Sequence, residues 1–521
     1  MSRYSLLYGV CFATLVAAVP VRGQIQPVNP DSALQHILDT IEGTPLKLED
    51  AVDRAVENAT DARSAEASYR SALGVVRREA GAFDPALFFS FDYADQKTPT
   101  ATFFSGAPVL NTVQTTARGG IRMSLPFGTD IEASLNTVRL QTNSSFASLN
   151  PQYTTFGAIS VRQPLLGGFL ASGNKDLAKA EQDLDAAKAR YDQQILAVRA
   201  QVEQTYWDLY AGERDYAVQR LVREQAVAFL RDTETRAKTG LVGPNQVASA
   251  KTFLAEQEIL SLDREEQLDR FSDRLSSLIG MKPPEGSPRL TAVDHPPDQF
   301  APVDVDNLVR EAMDRNLALQ AAQKEVASQR ILSTAAFWDA LPQVDVVGSL
   351  GGNGLAGTGR EISFNGQTFP APQSAPFGDA VSQALKRDYP TWSLGVEVSI
   401  PIGLRSGLGE QDRLEAEVAI AEQRAIAYSR SLEEQVRASY RELEHGQRRL
   451  KAAREGVAAA QEQVRIGLIE FQNGRTTAFE LVRLGADFAG AQQRYSQALV
   501  RSAKAAANLK QLTSGAFPGA N

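Results

Sequence analysis

NKDLAKAEQDLDAAKARYDQQILAVRAQVEQTYWDLYAGERDYAVQRLVREQAVAFLRDTETRAK, residues 174–238, contains no proline. Its apolar residues Leu184, Tyr191, Ile195, Val198, Val202, Leu209 and Tyr216 recur in steps of seven, four and three. That spacing places one stripe on one face of a helix, with coiled-coil character. A helix of about 65 residues is roughly 100 Å long at about 1.5 Å per residue, longer than any compact domain. Glu203, Asp208, Glu213, Asp215 and Arg220 make it too polar to be buried on all sides. A solid coiled-coil stalk and the wall of a hollow helical barrel both accommodate such a helix; a globular core does not.

Working outward, Gly240, Gly243 and Pro244 interrupt the pattern, which restarts at Val247 and reaches Leu268, Phe271, Leu275 and Leu278. The sequence predicts an antiparallel hairpin turning at Gly240. The second half repeats this with Val436, Leu443, Leu450, Val457 and Val464 before a turn at Gly474. Alanines around Val457 allow close packing on several faces.

The chain reads as a doubled unit. Leu48–Ser90 and Val305–Val347 run in parallel, matching Val52 with Val309, Ala55 with Ala312, Ala65 with Ala322, Ser71 with Ser328 and Pro85 with Pro342. Each half gives helix, strands, helix, glycine turn, helix. The expected organisation is a signal peptide at 1–23, an N-terminal tail at 24–47, repeats at 48–282 and 303–513, a proline-rich linker at 283–302 and a C-terminal tail at 514–521. The tails show no clear periodicity and are expected to be loosely attached.

Strand periodicity is clearest where Trp392, Leu394, Val396, Val398 and Ile400 alternate with Ser393, Gly395, Glu397 and Ser399. Phe89, Phe91 and Tyr93, and then Ile121, Met123 and Leu125, alternate in the same way; 131–140, 153–162 and 343–350 are further candidates. The segments 98–116 and 351–390 are expected as long loops on the side away from the helices. Four to six strands do not close a membrane barrel, which begins at about eight, so several chains must share one. No later segment approaches the roughly 18 apolar residues of a spanning helix, which leaves a closed β-barrel as the structure able to cross lipid. Tyr389 and Trp392 suit an interfacial aromatic belt.

Arg3 followed by the apolar stretch Leu6–Val19 reads as a signal peptide. Cleavage is expected before Gln24, with a site after Ala18 as the alternative. A membrane anchor needs a longer stretch. Cys11, the one cysteine, lies inside this leader, so the mature chain has neither disulfide nor thiolate site. Losing Arg3 and Arg22 leaves 52 basic residues against the 62 acids, moving the formal charge from -8 to -10; a nucleic-acid partner is not expected at that charge.

Leu48-Glu49-Asp50-Ala51-Val52 leading to Ala55-Val56-Glu57-Asn58, the doubled helix-proline-strand unit, the Gln163-Pro164-Leu165-Leu166 strand exit and the Gly474 turn resemble the TolC-like outer-membrane efflux proteins. The resemblance covers nearly all of the mature chain and rests on the order of its motifs. It implies a mixed α and β fold in which long helical hairpins form a periplasmic α-barrel joined to a trimeric transmembrane β-barrel in the outer membrane. It also implies a periplasmic adaptor and an inner-membrane pump as partners, docking at a tip closed by inner helices. The implied function is a passive duct for small molecules in a tripartite efflux system; the alternative is the exit channel of a type I protein secretion system. Counting from Gly474, the family's ring of acids at the constriction falls on Glu480 and Arg483, the second a departure. The comparable position after Gly240 is Gln246. These three and Arg475 are the expected gate or tip residues.

Catalysis is not expected, and no cofactor. His36, His295 and His445 are isolated, with no cysteine to complete a metal site. The glycines around Leu350 lack the lysine and following helix of a phosphate loop.

Overall fold

The computed structural model describes residues 30–281, 289–300, 303–364, 366–473 and 475–517. The expected signal peptide, Cys11 and the Gly474 turn residue lie outside them. Along the chain, α1 (Pro30–Asp39) and β1 (Thr44–Leu46) precede α2 (Leu48–Asn58) and α3 (Thr60–Ala80). Strands β2 (Ala86–Pro99), β3 (Val109–Ser124), β4 (Asp130–Thr142) and β5 (Leu149–Pro164) follow, then α4 (Lys175–Lys238), α5 (Pro244–Leu278) and β6 (Leu290–Ala292). The second half holds α6 (Val305–Arg315), α7 (Leu317–Asp339), β7 (Gln343–Gly359), β8 (Ile362–Phe364), β9 (Gln367–Phe369), α8 (Phe377–Lys386), β10 (Tyr389–Ser399), α9 (Arg405–Gln472) and α10 (Ala478–Leu512).

The expected long helix is one element, α4, of 64 residues, and α9 has 68. Each is therefore about 100 Å long at about 1.5 Å per residue. Both heptad stripes are buried where they meet neighbours: Val202 and Leu209 on α4, Leu268 and Leu275 on α5, and Val436, Leu443 and Leu450 on α9. The partners α5 and α10 have 35 residues each and run beside half of a long helix. α3 packs on the remainder of α4, and α7 on that of both long helices. The chain thus makes a wall four helices wide, with α3 and α5 on one flank and α9 on the other. Apolar side chains stay exposed on both flanks, Ile259 and Leu262 on α5 and Ile420 and Ile469 on α9.

Equivalent elements recur at fixed separations. α2, α3 and β2 begin at 48, 60 and 86, and α6, α7 and β7 at 305, 317 and 343, each 257 residues later. Beyond the strands the separation changes to 234, because the first half carries four long strands and the second half two: α4 and α9 end at 238 and 472, and α5 and α10 begin at 244 and 478.

Three expectations are corrected. The stretch 98–116 is mostly strand: β2 runs to Pro99 and β3 starts at Val109. The stretch 351–390 is not a plain loop, since β7 continues to Gly359 and is followed by β8, β9 and α8. The described parts of the tails are anchored. Leu34 and Ile37 of α1 are buried against Val218, Leu221 and Val222 of α4, β1 pairs in parallel with β6, and Phe517 is buried among Leu308, Val436 and Leu509.

The β1–β6 pair is pinned to the middle of α4. The Tyr206 hydroxyl accepts the N–H groups of Val293 and Asp294, at 3.0 Å each, and lies 2.9 Å from the Leu46 carbonyl and from Asp294 Oδ2. Two turns further, buried Glu213 accepts the Ala292 N–H at 2.7 Å. Desolvation pushes the Glu213 carboxyl up to about 8, so it is neutral through most of the physiological range. In an unfolded chain it ionises near pH 4.3. The folded state therefore binds the extra proton between those values, and this contribution to stability is fully present below about pH 4.3 and is lost as pH rises towards 8. Glu213→Gln, which keeps the acceptor and removes the titration, should match wild type in denaturant midpoint near pH 4 and exceed it at pH 8.

Candidate functional site

Strands β10, β7, β5, β4, β3 and β2 form one six-stranded sheet in that order, every neighbouring pair antiparallel. Register aligns the side chains into two faces. On one, Leu87, Phe89 and Phe91 of β2 stand in rows with Ile121, Gly119 and Ala117, then Ala133, Leu135 and Thr137. The same face continues through Gly157, Ile159 and Val161 to Leu350 and Gly348, and ends on Trp392 and Leu394. Leu87, Phe89, Phe91, Tyr93, Trp392, Leu394, Val396 and Val398 are each more than half exposed. Water does not tolerate an apolar surface this wide uncovered.

The other face is polar and charged. Arg118 pairs with Glu132 across β3 and β4 at 2.5 Å, Arg162 pairs with Asp345 across β5 and β7, and Ser349 meets Ser393 at 2.7 Å. Tyr389 falls on this face by alternation, whereas Trp392 stands on the apolar one. These charges were missed as a group in the sequence; extending the Arg122 and Ser124 alternation across neighbouring strands would have found them.

The two ends of the sheet differ. At the helix end, β3 turns into β4 through a tight turn closed by Leu125 and Thr129 at 2.8 Å. Gly173, just ahead of α4, lets that turn approach: a Cβ there would meet Gly128 N at 2.7 Å and Pro126 O at 2.8 Å. Lys175 pairs with Asp339 at 2.7 Å, tying the starts and ends of neighbouring helices at this junction. The longer connections, 100–108, 143–148 and 360–388, lie at the opposite end.

The far ends of the helices carry the two hairpin turns. Gly240 adopts φ +75, and the Leu241 N–H reaches back to the Arg236 carbonyl at 2.9 Å, a left-handed glycine cap. Pro244 then opens α5. In the second hairpin the Arg475 N–H makes the equivalent bond to Glu470 O at 2.9 Å, and Thr477 caps α10 by accepting the Glu480 N–H at 3.2 Å. The turns lie at one end, since Phe229 meets Phe479 at 6.1 Å and Arg236 sits 5.9 Å over the Phe471 ring.

Of the expected gate residues, Glu480 and Arg483 come together, paired at 2.5 Å on successive turns of α10. Arg475 is exposed in the turn, and Gln246 is exposed in the first turn of α5 on the other hairpin; neither joins the pair. Leu241, unremarked in the sequence, is 76% exposed at the tip. His295 packs on Tyr210 at 5.8 Å. Among the described residues no group of three or more His, Cys, Asp or Glu is placed to hold a metal ion, and no helix is long and apolar enough to cross a membrane.

Residues 308–515 match the outer membrane efflux protein family. No match is found among curated proteins. The fold is shared with solved outer-membrane channels. The Campylobacter jejuni CmeC channel is 12% identical at a TM-score of 0.62, covering 90% of this chain and 86% of that one. VceC from Vibrio cholerae is 14% identical at 0.61, covering 90% and 97%. The open-state MtrE channel of Neisseria gonorrhoeae is 14% identical at 0.60, covering 90% and 89%. The TolC-like resemblance read from the sequence is thus met by a family match over residues 308–515 and by a fold shared with these channels over nine-tenths of the chain.

A sheet face this apolar and this exposed is a surface suited to contact with lipid. Leu394→Arg should destabilise the sheet in a bilayer by about 2–4 kcal/mol, lowering the urea midpoint of vesicle-reconstituted protein. Ser393→Arg, one residue away on the polar face, should leave that midpoint nearly unchanged.

Proposed function

We propose that three copies of this chain form a continuous passive duct, an 18-stranded β-barrel in the outer membrane joined to a hollow helical cylinder across the periplasm. The observation that carries the reading is a sheet apolar on one face, charged on the other and open at both edges. Lipid leaves no water to satisfy the unpaired N–H and C=O groups of an edge strand, so a spanning sheet must close. The five antiparallel pairings between β10 and β2 leave these edge strands running in opposite directions, so β2 of one copy continues the ladder on β10 of the next. Six strands in each chain's sheet support a count of 18 for three copies. The exposed apolar flanks of α5 and α9 give the helical walls a matching seam.

In this duct the charged face lines the lumen, and the fixed separations of 257 and 234 residues support reading 48–282 and 303–513 as two internal repeats. Many weakly selective polar groups line the path, so cargo choice and energy belong to an inner-membrane pump, reached through a periplasmic adaptor at the tip that carries Leu241 and Arg475. The cargo class is small molecules. The Glu480–Arg483 pair stands at the tip where inner helices converge, with Gln246 on the neighbouring hairpin, and acts as the closing constraint.

Two measurements test this. Paired cysteines, one within 88–94 and one within 391–397 of each chain, joined by a short bifunctional maleimide, should give covalent dimers and trimers; β2 and β10 of one chain are separated by the whole sheet, so monomers carrying internal links would contradict the closure. In planar bilayers, replacing Glu480 and Arg483 together with alanine should raise single-channel conductance severalfold, and an unchanged conductance would remove the pair from the gate.

A further inference from the structure

The connection between β7 and β10 contains α8, a ten-residue helix that lies flat on the apolar face of the sheet. Its seat is made of glycine. A Cβ on Gly352 would overlap the Ala384 carbonyl, and one on Gly354 the Ala380 carbonyl. By alternation these glycines share the face of Leu350, and they pair with Gly157 and Thr155 of β5. Thr155 is completely buried. Tyr153, on the same face, places its ring 5.6 Å from that of Phe377. Gln383 Oε1 accepts the Leu355 N–H at 2.9 Å, holding the helix where β7 outruns β10.

At about 100° per residue, α8 has three sides. Ala380 and Ala384 are buried against the sheet. Phe377, Val381 and Leu385 form the adjacent stripe, with Phe377 46% and Leu385 68% exposed. Asp379, Ser382 and Lys386 form the third side. A helix on a wet protein surface needs two sides, apolar inward and polar outward. An additional exposed apolar side, next to a sheet face that is itself apolar, is the arrangement of a helix lying in the plane of a membrane interface.

We propose that α8 is a lipid-contact site at the outer leaflet: Phe377, Val381 and Leu385 enter the acyl-chain boundary while Ser382 and Lys386 stay among headgroups and water. Lipid is the occupant because the stripe lies against, and continues, the Leu350, Trp392 and Leu394 surface, and because α8 sits at the sheet end away from the helices. The inference rests on the reading of the sheet as membrane-spanning. It makes the glycines of β7 the condition for bringing an interfacial helix against the barrel wall.

The test uses the full chain in a Cys11→Ser background, reconstituted in phosphatidylcholine–phosphatidylglycerol vesicles. Single cysteines at Leu385, Ser382 and Leu394 carry a nitroxide, and collision with oxygen is compared with collision with a water-soluble nickel chelate. Position 385 should match 394, with oxygen favoured severalfold, and 382 should show the reverse preference. Nickel access at 385 equal to that at 382 would overturn the lipid contact. Shielding of 385 from both reagents would also overturn it, in favour of a contact between copies. Nickel access at 394 would instead sink the membrane reading, and this inference with it.

Discussion

The rest of this architecture depends on one requirement, that every backbone N–H and C=O of a sheet placed in lipid find a partner within protein. In the proposed duct the apolar rows from Leu87 to Leu394 face lipid, and the same burial makes the sheet's two unpaired edges untenable. Neither edge can be capped locally, because β2 and β10 are long and regular. Joining copies edge to edge satisfies both at once. In that proposal the hollow lumen and the charged inner face follow from the closure, and the helical wall below inherits the same circle.

The helices answer a different problem, which is length. A wall about 100 Å tall cannot rest on one core, so apolar burial is divided. Trp207, Leu209, Leu268 and Leu275 make one cluster with β1 and β6, while Leu308, Val436, Leu443 and Leu509 make another on the second half. Within the first, Tyr206 and Glu213 add hydrogen bonds that tie the linker strand β6 to α4. Those polar groups make the pin specific, and burial keeps Glu213 neutral so that the pin carries no uncompensated charge.

Much of this was legible in the sequence. The heptad steps from Leu184 to Tyr216 gave α4 within a residue of its ends, and the Trp392–Ile400 alternation gave β10, because both patterns are set by burial on one side. What escaped was built on residues whose local preference is overridden. Gly351, Gly352, Gly354, Gly357 and Gly359 read as loop, yet they lie in β7; an isolated strand gains nothing from glycine, but here Gly352 and Gly354 admit α8. Leu34 and Ile37 stand in a helix too short for periodicity to be decisive, and only the groove at Val218 and Leu221 shows why it is held. The Glu480–Arg483 contact follows from i,i+3 spacing on a helix, but the gate role proposed for it depends on what faces it in the proposed trimer, which one chain's sequence does not contain.

The most direct test of the account is high-resolution imaging of the detergent-purified full chain. Three copies around a hollow helical cylinder, topped by a single closed barrel of 18 strands in which β2 of each copy pairs with β10 of the next, is the predicted result. A barrel closed within one chain, a solid helical rod, or a sheet whose edges remain unpaired would contradict it.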